Sequence, residues 1–161
     1  MSVEIGCYSG MTFMAAHEDD FFKIETSKVL TAMGEGVQTV EFIIYTGTQL
    51  RLVEAKTTIR ESNIEDICNK FIHSLDLFFA IMLGRKEDTF SEIPDKIKTV
   101  DIKHINIVLL LVIKECHKKN DLTPITEKLN RNLKRHRKTW NLEAKAIDHK
   151  TAVDWKLAKE A

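Results

Sequence analysis

Three residues of this chain have the types and spacing to act on one chemical step: Glu41, Glu54 and Lys56. They lie in two apolar runs, Val40-Glu41-Phe42-Ile43-Ile44-Tyr45 and Leu50-Arg51-Leu52-Val53-Glu54-Ala55-Lys56, joined by Thr46-Gly47-Thr48-Gln49. The pattern predicts a β-hairpin. Gly47-Thr48 can form a two-residue loop, with Gly where a type II′ turn needs positive φ. That loop pairs Thr46 with Gln49, and a four-residue loop pairing Tyr45 with Leu50 gives the same register, so Glu41 is expected opposite Glu54. Side chains alternate along a strand, which puts Lys56 on the face of Glu54. Two carboxylates ~5 Å apart repel by roughly 3 kcal/mol at an effective dielectric near 20. A shared proton, a nearby cation or a bound divalent metal would relieve that repulsion. Lys56 is one such cation. Mg²⁺ is a stronger one, since it favours carboxylate oxygens and keeps waters for chemistry. The plain alternative is a solvated strand face on which Lys56 serves as a simple ion-pair partner.

An acid on one strand, then Glu-x-Lys ending the next, resembles the PD-(D/E)XK nuclease superfamily. Here the elements are Glu41 and, thirteen residues later, Glu54-Ala55-Lys56. The wider run is similar to a group of small prokaryotic proteins of that superfamily: Phe22-Lys23-Ile24-Glu25, Thr39-Val40-Glu41-Phe42-Ile43, Val53-Glu54-Ala55-Lys56 and Lys70-Phe71-Ile72-His73-Ser74-Leu75, continuing through Leu110-Leu111-Val112-Ile113-Lys114 and Lys138-Thr139-Trp140-Asn141-Leu142. The resemblance implies one restriction-endonuclease-like domain over residues 1–161. It would be a three-layer α/β sandwich with a central mixed β-sheet flanked by helices. It also implies a metal-dependent nuclease cutting DNA or RNA, with Glu41, Glu54 and Lys56 catalytic. Glu41 and Glu54, with Glu25 as a third acid, would hold Mg²⁺ or Mn²⁺, and a homodimer would serve to cut both strands. Two departures stand out. The first acid is Glu41, where the superfamily usually has Asp. Only two strands are evident between the first helix and the long helix, where the usual core has three; the third is sought near Met11 to Ala16, or is absent.

Composition narrows the classes. A chain of 161 residues with 43% apolar content can bury a sizeable core. No run approaches the ~20 apolar residues of a membrane-spanning helix, and the N-terminus lacks a signal-peptide pattern. Cys7, Cys68 and Cys116 are odd in number and widely spaced, which fits a reducing cytoplasm better than a disulfide framework or zinc site. Cys68 reads as a core residue. The zero net charge conceals a polarity: residues 1–100 carry 10 Lys and Arg against 16 Asp and Glu, and residues 101–161 carry 14 against 8. The positive excess gathers in Lys128, Arg131, Lys134, Arg135, Arg137 and Lys138. Such a cluster suits a phosphate backbone, and equally a solvated helix end where cations complement the dipole.

The elements that must position these groups follow from periodicity. His17-Glu18-Asp19-Asp20 is expected to open a helix reaching about Met33, with Phe22, Val29 and Met33 on one face and Glu25 among them. After the hairpin, Ser62 or Asn63 caps a long helix, Ser62 and Glu65 forming a capping box. Its stripe is Ile64, Ile67, Cys68, Phe71, Leu75, Phe78, Phe79 and Met82, and it should pack on the sheet carrying the acids. Lys70, His73 and Ser74 lie on or beside that helix, where some members of the resembled superfamily place a polar helper. Residues 84–103 read as a surface loop. Ile105 to Lys114 reads as a central strand covered on both faces. Thr123 and Pro124 start a helix to about Thr139, followed by a strand over 142–147 and a helix over 150–159.

No Walker loop, GxGxxG, GxSxG, HExxH or paired Cys-x-x-Cys is present. The six histidines, at 17, 73, 104, 117, 136 and 149, show no ligand spacing on any one helix. Trp140 and Trp155 read as core anchors rather than base-stacking platforms. The expectation is therefore a metal-dependent nuclease with Lys128, Arg131, Lys134, Arg135 and Lys138 on the nucleic-acid backbone. The alternatives are a non-catalytic binding or assembly module of the same fold, and a subunit of a larger defence or mobile-element complex.

Overall fold

In the computed structural model, which describes residues 1–116 and 122–161, the long apolar runs become one five-stranded mixed sheet. Its strands are β3 (Phe21–Phe22), β4 (Phe42–Tyr45), β5 (Gln49–Lys56), β6 (Asn106–Ile113) and β7 (Glu143–Asp148), side by side in that order. β3, β4 and β5 pair antiparallel; β5, β6 and β7 run parallel. A second sheet is a hairpin of β1 (Val3–Tyr8) and β2 (Met11–Ala15).

The hairpin register is the predicted one: Tyr45 pairs with Leu50 and Phe42 with Val53. Gly47 takes φ +93° in the turn, and Thr46 N–H donates to Gln49 O at 3.0 Å. Glu41 lies one residue beyond the ladder, so the expected direct pairing of Glu41 with Glu54 is not made. The Glu41 N–H also reaches Val53 O at 3.0 Å, so two successive residues address one partner and the strand bends there, as at a β-bulge.

α2 (Ile64–Met82) is the long amphipathic helix, and Phe71, Leu75 and Phe78 are fully buried against Leu50, Leu52, Leu109 and Leu111. Burying each such side chain contributes about 1.5–3 kcal/mol. A 3₁₀ turn over Glu61–Asn63 leads into it, and Asn63 makes no side-chain cap, in place of the expected capping box. The opposite face of the sheet carries Phe42, Ile44, Val53, Ala55, Val108, Leu110 and Val112. It is covered by the β1–β2 hairpin, with Ile5, Met11 and Phe13, and by α7 (His149–Asp154). β6 thus serves both cores, as a continuous apolar strand must. The fold is α/β, with helices and a hairpin on either side of a mixed sheet.

Five further expectations need correction. Residues 17–33 are not one helix. They form a 3₁₀ turn at Glu18–Asp20, β3, a second 3₁₀ turn at Ile24–Thr26 and only then α1 (Lys28–Met33). Ser27 interrupts the pattern by capping α1, accepting from Leu30 N–H at 3.5 Å, and Met33 is exposed. The third strand of the meander is the two-residue β3, while Met11–Ala15 belongs to the separate hairpin. Residues 84–103 contain short helices α3 (Glu87–Phe90) and α4 (Asp95–Lys98), anchored by buried Thr89, Ile93 and Ile97. The basic helix divides at buried Leu133 into α5 (Leu122–Asn132) and α6 (Lys134–Trp140). The C-terminal helix ends at Asp154, and Ala158 bridges to Phe13.

Candidate functional site

Glu54 and Lys56 stand at the carboxyl end of β5, on the α2 side of the sheet. Such strand ends are where open α/β sheets hold ligands. Glu54 is completely buried, and one oxygen, Oε1, accepts from Lys70 Nζ at 2.7 Å and faces Lys56 Nζ at 3.2 Å. The other, Oε2, is buried without a partner among the described residues. A buried carboxylate costs several kcal/mol unless compensated, and here two ammonium groups compensate one oxygen only. For Lys70, burial opposes its charge, but the bond to Glu54 and the charges of Glu54, Glu41 and Glu25 carry its pKa above the usual lysine value.

Glu41 joins from the bend before β4. Burial, then the charge of Glu54, then a hydrogen bond and the charge of Glu25 push its pKa from 4.5 to about 8, against the opposing pull of Lys70. At neutral pH Glu41 therefore retains a proton that Glu25 helps to hold. Glu25 arrives from the Ile24–Thr26 turn and also lies within hydrogen-bonding reach of the Tyr8 hydroxyl, which burial and the charges of Glu25 and Glu41 raise to about 12. The sequence-derived set of Glu25, Glu41, Glu54 and Lys56 is thus one electrostatic unit. Tyr8 and Lys70 complete it.

Two devices fix this unit. On α2, buried Ser74 accepts the Val40 N–H at 2.9 Å and donates to Lys70 O at 2.7 Å; one turn of helix thereby locates both Glu41 and Lys70. His73 Nδ1 sits 3.2 Å from Gln38 O and steadies the same approach. From the other side, the tip of the β1–β2 hairpin grips the end of β5. Ser9 Oγ donates to Ala55 O at 3.0 Å, and Thr57 Oγ1 donates to Ser9 O at 3.3 Å. Gly10 suits this tip chiefly through its backbone, since the Lys114 side chain beside it is flexible. Its φ is +74°, and a Cβ there would come within 2.7 Å of Lys114 Nζ.

Among the described residues, no three or more His, Cys, Asp and Glu side chains are arranged to hold a metal ion. A preformed protein cage is therefore absent among them, and His117 lies outside the described residues. The acids that do interact are Glu41 and Glu54, the latter with its Oε2 unpartnered among the described residues. That fits Mg²⁺, which is held by one or two carboxylates plus substrate phosphate and retains its waters.

The basic residues lie on α5 and α6, with Arg131, Lys134, Arg135 and Lys138 exposed. Lys128 is engaged, its Nζ 2.9 Å from Glu61 Oε1, and the two residues line a cleft of about 680 Å³ beyond the ends of β5 and β6. The aromatic assignments need revision. Trp140 is 47% exposed and packs on Phe79, ring centroids 4.6 Å apart; Trp155 is 37% exposed, with Arg51 and Lys145 over its ring. Neither is a core anchor. Cys68 is buried in the core, as expected. No helix among the described residues is long and apolar enough to cross a membrane.

No protein-family model, curated protein or solved structure matches this chain.

Proposed function

We propose that the chain is a metal-dependent nuclease that hydrolyses phosphodiester bonds in DNA or RNA, on a restriction-endonuclease-like form of the α/β fold, within the PD-(D/E)XK superfamily. The observation that carries this reading is that Lys56 meets Glu54 and Glu41 feels the charge of Glu54, with Glu54 Oε1 taken by lysines and Oε2 unpartnered among the described residues. The antiparallel β3–β4–β5 meander, followed by α2 and the parallel strand β6, supports it.

Glu41 and Glu54 would hold Mg²⁺ or Mn²⁺, with Glu25 at the margin of the shell. The ion, when bound, supplies an acidified water and charge neutralisation at the scissile phosphate. Glu41 must release its proton to become a ligand, and Glu25 is the hydrogen-bonding neighbour whose charge opposes that release. Lys56, whose side chain is 31% exposed, orients the attacking water or meets the phosphate; the more buried Lys70 holds Glu54 in place. Exposed Arg131, Lys134, Arg135 and Lys138 would contact the nucleic-acid backbone. A homodimer working in the cytoplasm would cut both strands of a duplex.

A second reading, a binding or assembly module without catalysis, rests on the two lysines already neutralising Glu54 and on the lack of a three-ligand cage among the described residues. Cleavage assays with Mg²⁺ on single- and double-stranded DNA and RNA separate the two. The nuclease predicts cutting that EDTA abolishes and that disappears in Glu54→Gln and in Lys56→Met while both variants stay folded. Equal residual cutting in wild type and both variants would exclude it, and EDTA-insensitive nucleic-acid binding without cutting is the outcome for the module.

A further inference from the structure

Arg51 lies three residues before Glu54 on β5 and on the opposite face of the sheet, beside a cavity of about 590 Å³. Part of its wall is apolar, with Met14, Ile44 and Leu157 buried and Trp155 at the rim. Its charged lining is unbalanced. The one acid, Asp20, is already engaged: Oδ1 takes Lys96 Nζ at 2.9 Å and Oδ2 takes the His17 N–H at 3.0 Å. Among the described residues Arg51 and Lys156 are left without a counter-ion. Among the described residues no carboxylate lies within ion-pairing distance of Arg51, and burial alone lowers its pKa, with no acid opposing that fall.

The guanidinium is nevertheless held firmly. Arg51 Nε donates to Gln49 Oε1 at 3.0 Å, and its central carbon stands 4.8 Å from the centre of the Trp155 ring. A planar guanidinium fixed by one nitrogen and one ring face is ready to present its remaining N–H groups as a fork, the geometry that matches carboxylate and phosphate. Lys156 borders the same cavity with φ +58°, a backbone conformation that non-glycine residues seldom adopt and that clusters at ligand sites.

We propose that this cavity binds a small oxyanion, a phosphate or carboxylate carried on a flat apolar body, with Arg51 gripping the anion and Trp155 and Ile44 flanking the body. The site is independent of the carboxylate cluster and of the nuclease reading. It faces the other side of the sheet, and none of its groups belongs to that cluster.

Trp155 reports on it directly, because the chain has two tryptophans and Trp140→Phe leaves one. In the full chain carrying Trp140→Phe, titration with AMP or benzoate is expected to give a saturable fluorescence change, and adenosine none. Adding Arg51→Lys, which keeps the charge and loses the fork, should weaken the response about tenfold, the loss of one charge-assisted hydrogen bond. Lys156→Gln, at an exposed position, should weaken it less, and melting curves show whether each variant is folded. A response to AMP alone assigns the phosphate, and one to benzoate alone the carboxylate. No saturable change with either anion, adenosine binding as tightly as AMP, or undiminished binding in both folded variants would overturn the proposal and leave Arg51 and Trp155 as a structural stack.

Discussion

Lys70 Nζ lies closer to Glu54 Oε1 than Lys56 Nζ does, 2.7 Å against 3.2 Å, and its side chain is the more buried, 18% exposed against 31%. The helix lysine, not the strand lysine of the Glu-x-Lys motif, is therefore the main electrostatic support of the buried carboxylate. Removing it leaves Glu54 with one partly solvated partner. Lys70→Met should cost about 2–4 kcal/mol of stability and Lys56→Met about 1 kcal/mol. Urea denaturation of both variants and of each combined with Glu54→Gln measures the coupling; equal costs for the two lysines would contradict this division of roles.

The Glu41 proton makes stability depend on pH. Its folded pKa of about 8 stands above 4.5, so the folded chain binds this proton more tightly than the unfolded chain. The stabilisation is fully present below pH 4.5 and is lost as pH rises through about 8. Glu41→Gln should flatten that decline, seen as a melting temperature that no longer falls between neutral and alkaline pH. Under the proposed function a divalent ion competes with the same proton, so stabilisation by added Mg²⁺ should grow with pH over this window. A melting profile unchanged by Glu41→Gln would show that the proton resides elsewhere.

The extent to which the sequence exposed this site follows from the range of each interaction. The hairpin register was legible because a short Gly-containing turn sets the pairing of its own strands, whereas the bulge that takes Glu41 off the ladder has no sequence signal. The stripe of α2 was legible because nineteen residues repeat one period. Lys70 was legible as a polar flank of that stripe, one turn before Ser74; that it holds Glu54 more closely than Lys56 does was not, since it depends on how the helix packs on the sheet. Tyr8 had no such signal, since it reaches Glu25 from a separate hairpin across long-range packing. β3 is two residues long, too short for any periodicity, and is a strand only because Ile43 and Ile44 offer partners. The division of α5 from α6 at Leu133 was hidden by a basic run with no proline or glycine.

The cations of the two basic helices should differ in effect. Lys128 is paired with Glu61 at 2.9 Å, whereas Arg131, Lys134 and Arg135 are exposed. If these helices carry the nucleic-acid backbone, neutralising the three exposed residues should reduce the slope of log affinity against log salt by roughly 0.9 per lost phosphate contact. Lys128→Gln should reduce it less. Binding isotherms at several salt concentrations with one fixed oligonucleotide provide the slopes. An unchanged slope in the triple variant would remove both helices from the interface.

Ser74 tests whether placement of Glu41, and not only its chemistry, matters. Its hydroxyl is fully buried, accepts the Val40 N–H at 2.9 Å and donates to Lys70 O at 2.7 Å. Ser74→Ala leaves the backbone donor of Val40 without a partner, at a cost of about 1–3 kcal/mol. Val40 immediately precedes Glu41, so the loss also frees the bend that carries the carboxylate. Under the proposed function, divalent-ion affinity should therefore weaken more in Ser74→Ala than in a core variant of matched stability, such as Ile67→Val, which lies on the same helix away from the bend. Ser74→Thr, which restores a hydroxyl, should recover part of the affinity. Titration of Mn²⁺ into the three variants, followed by melting temperature and by cleavage, distinguishes the outcomes: equal losses in Ser74→Ala and the core variant would reduce Ser74 to a stability residue.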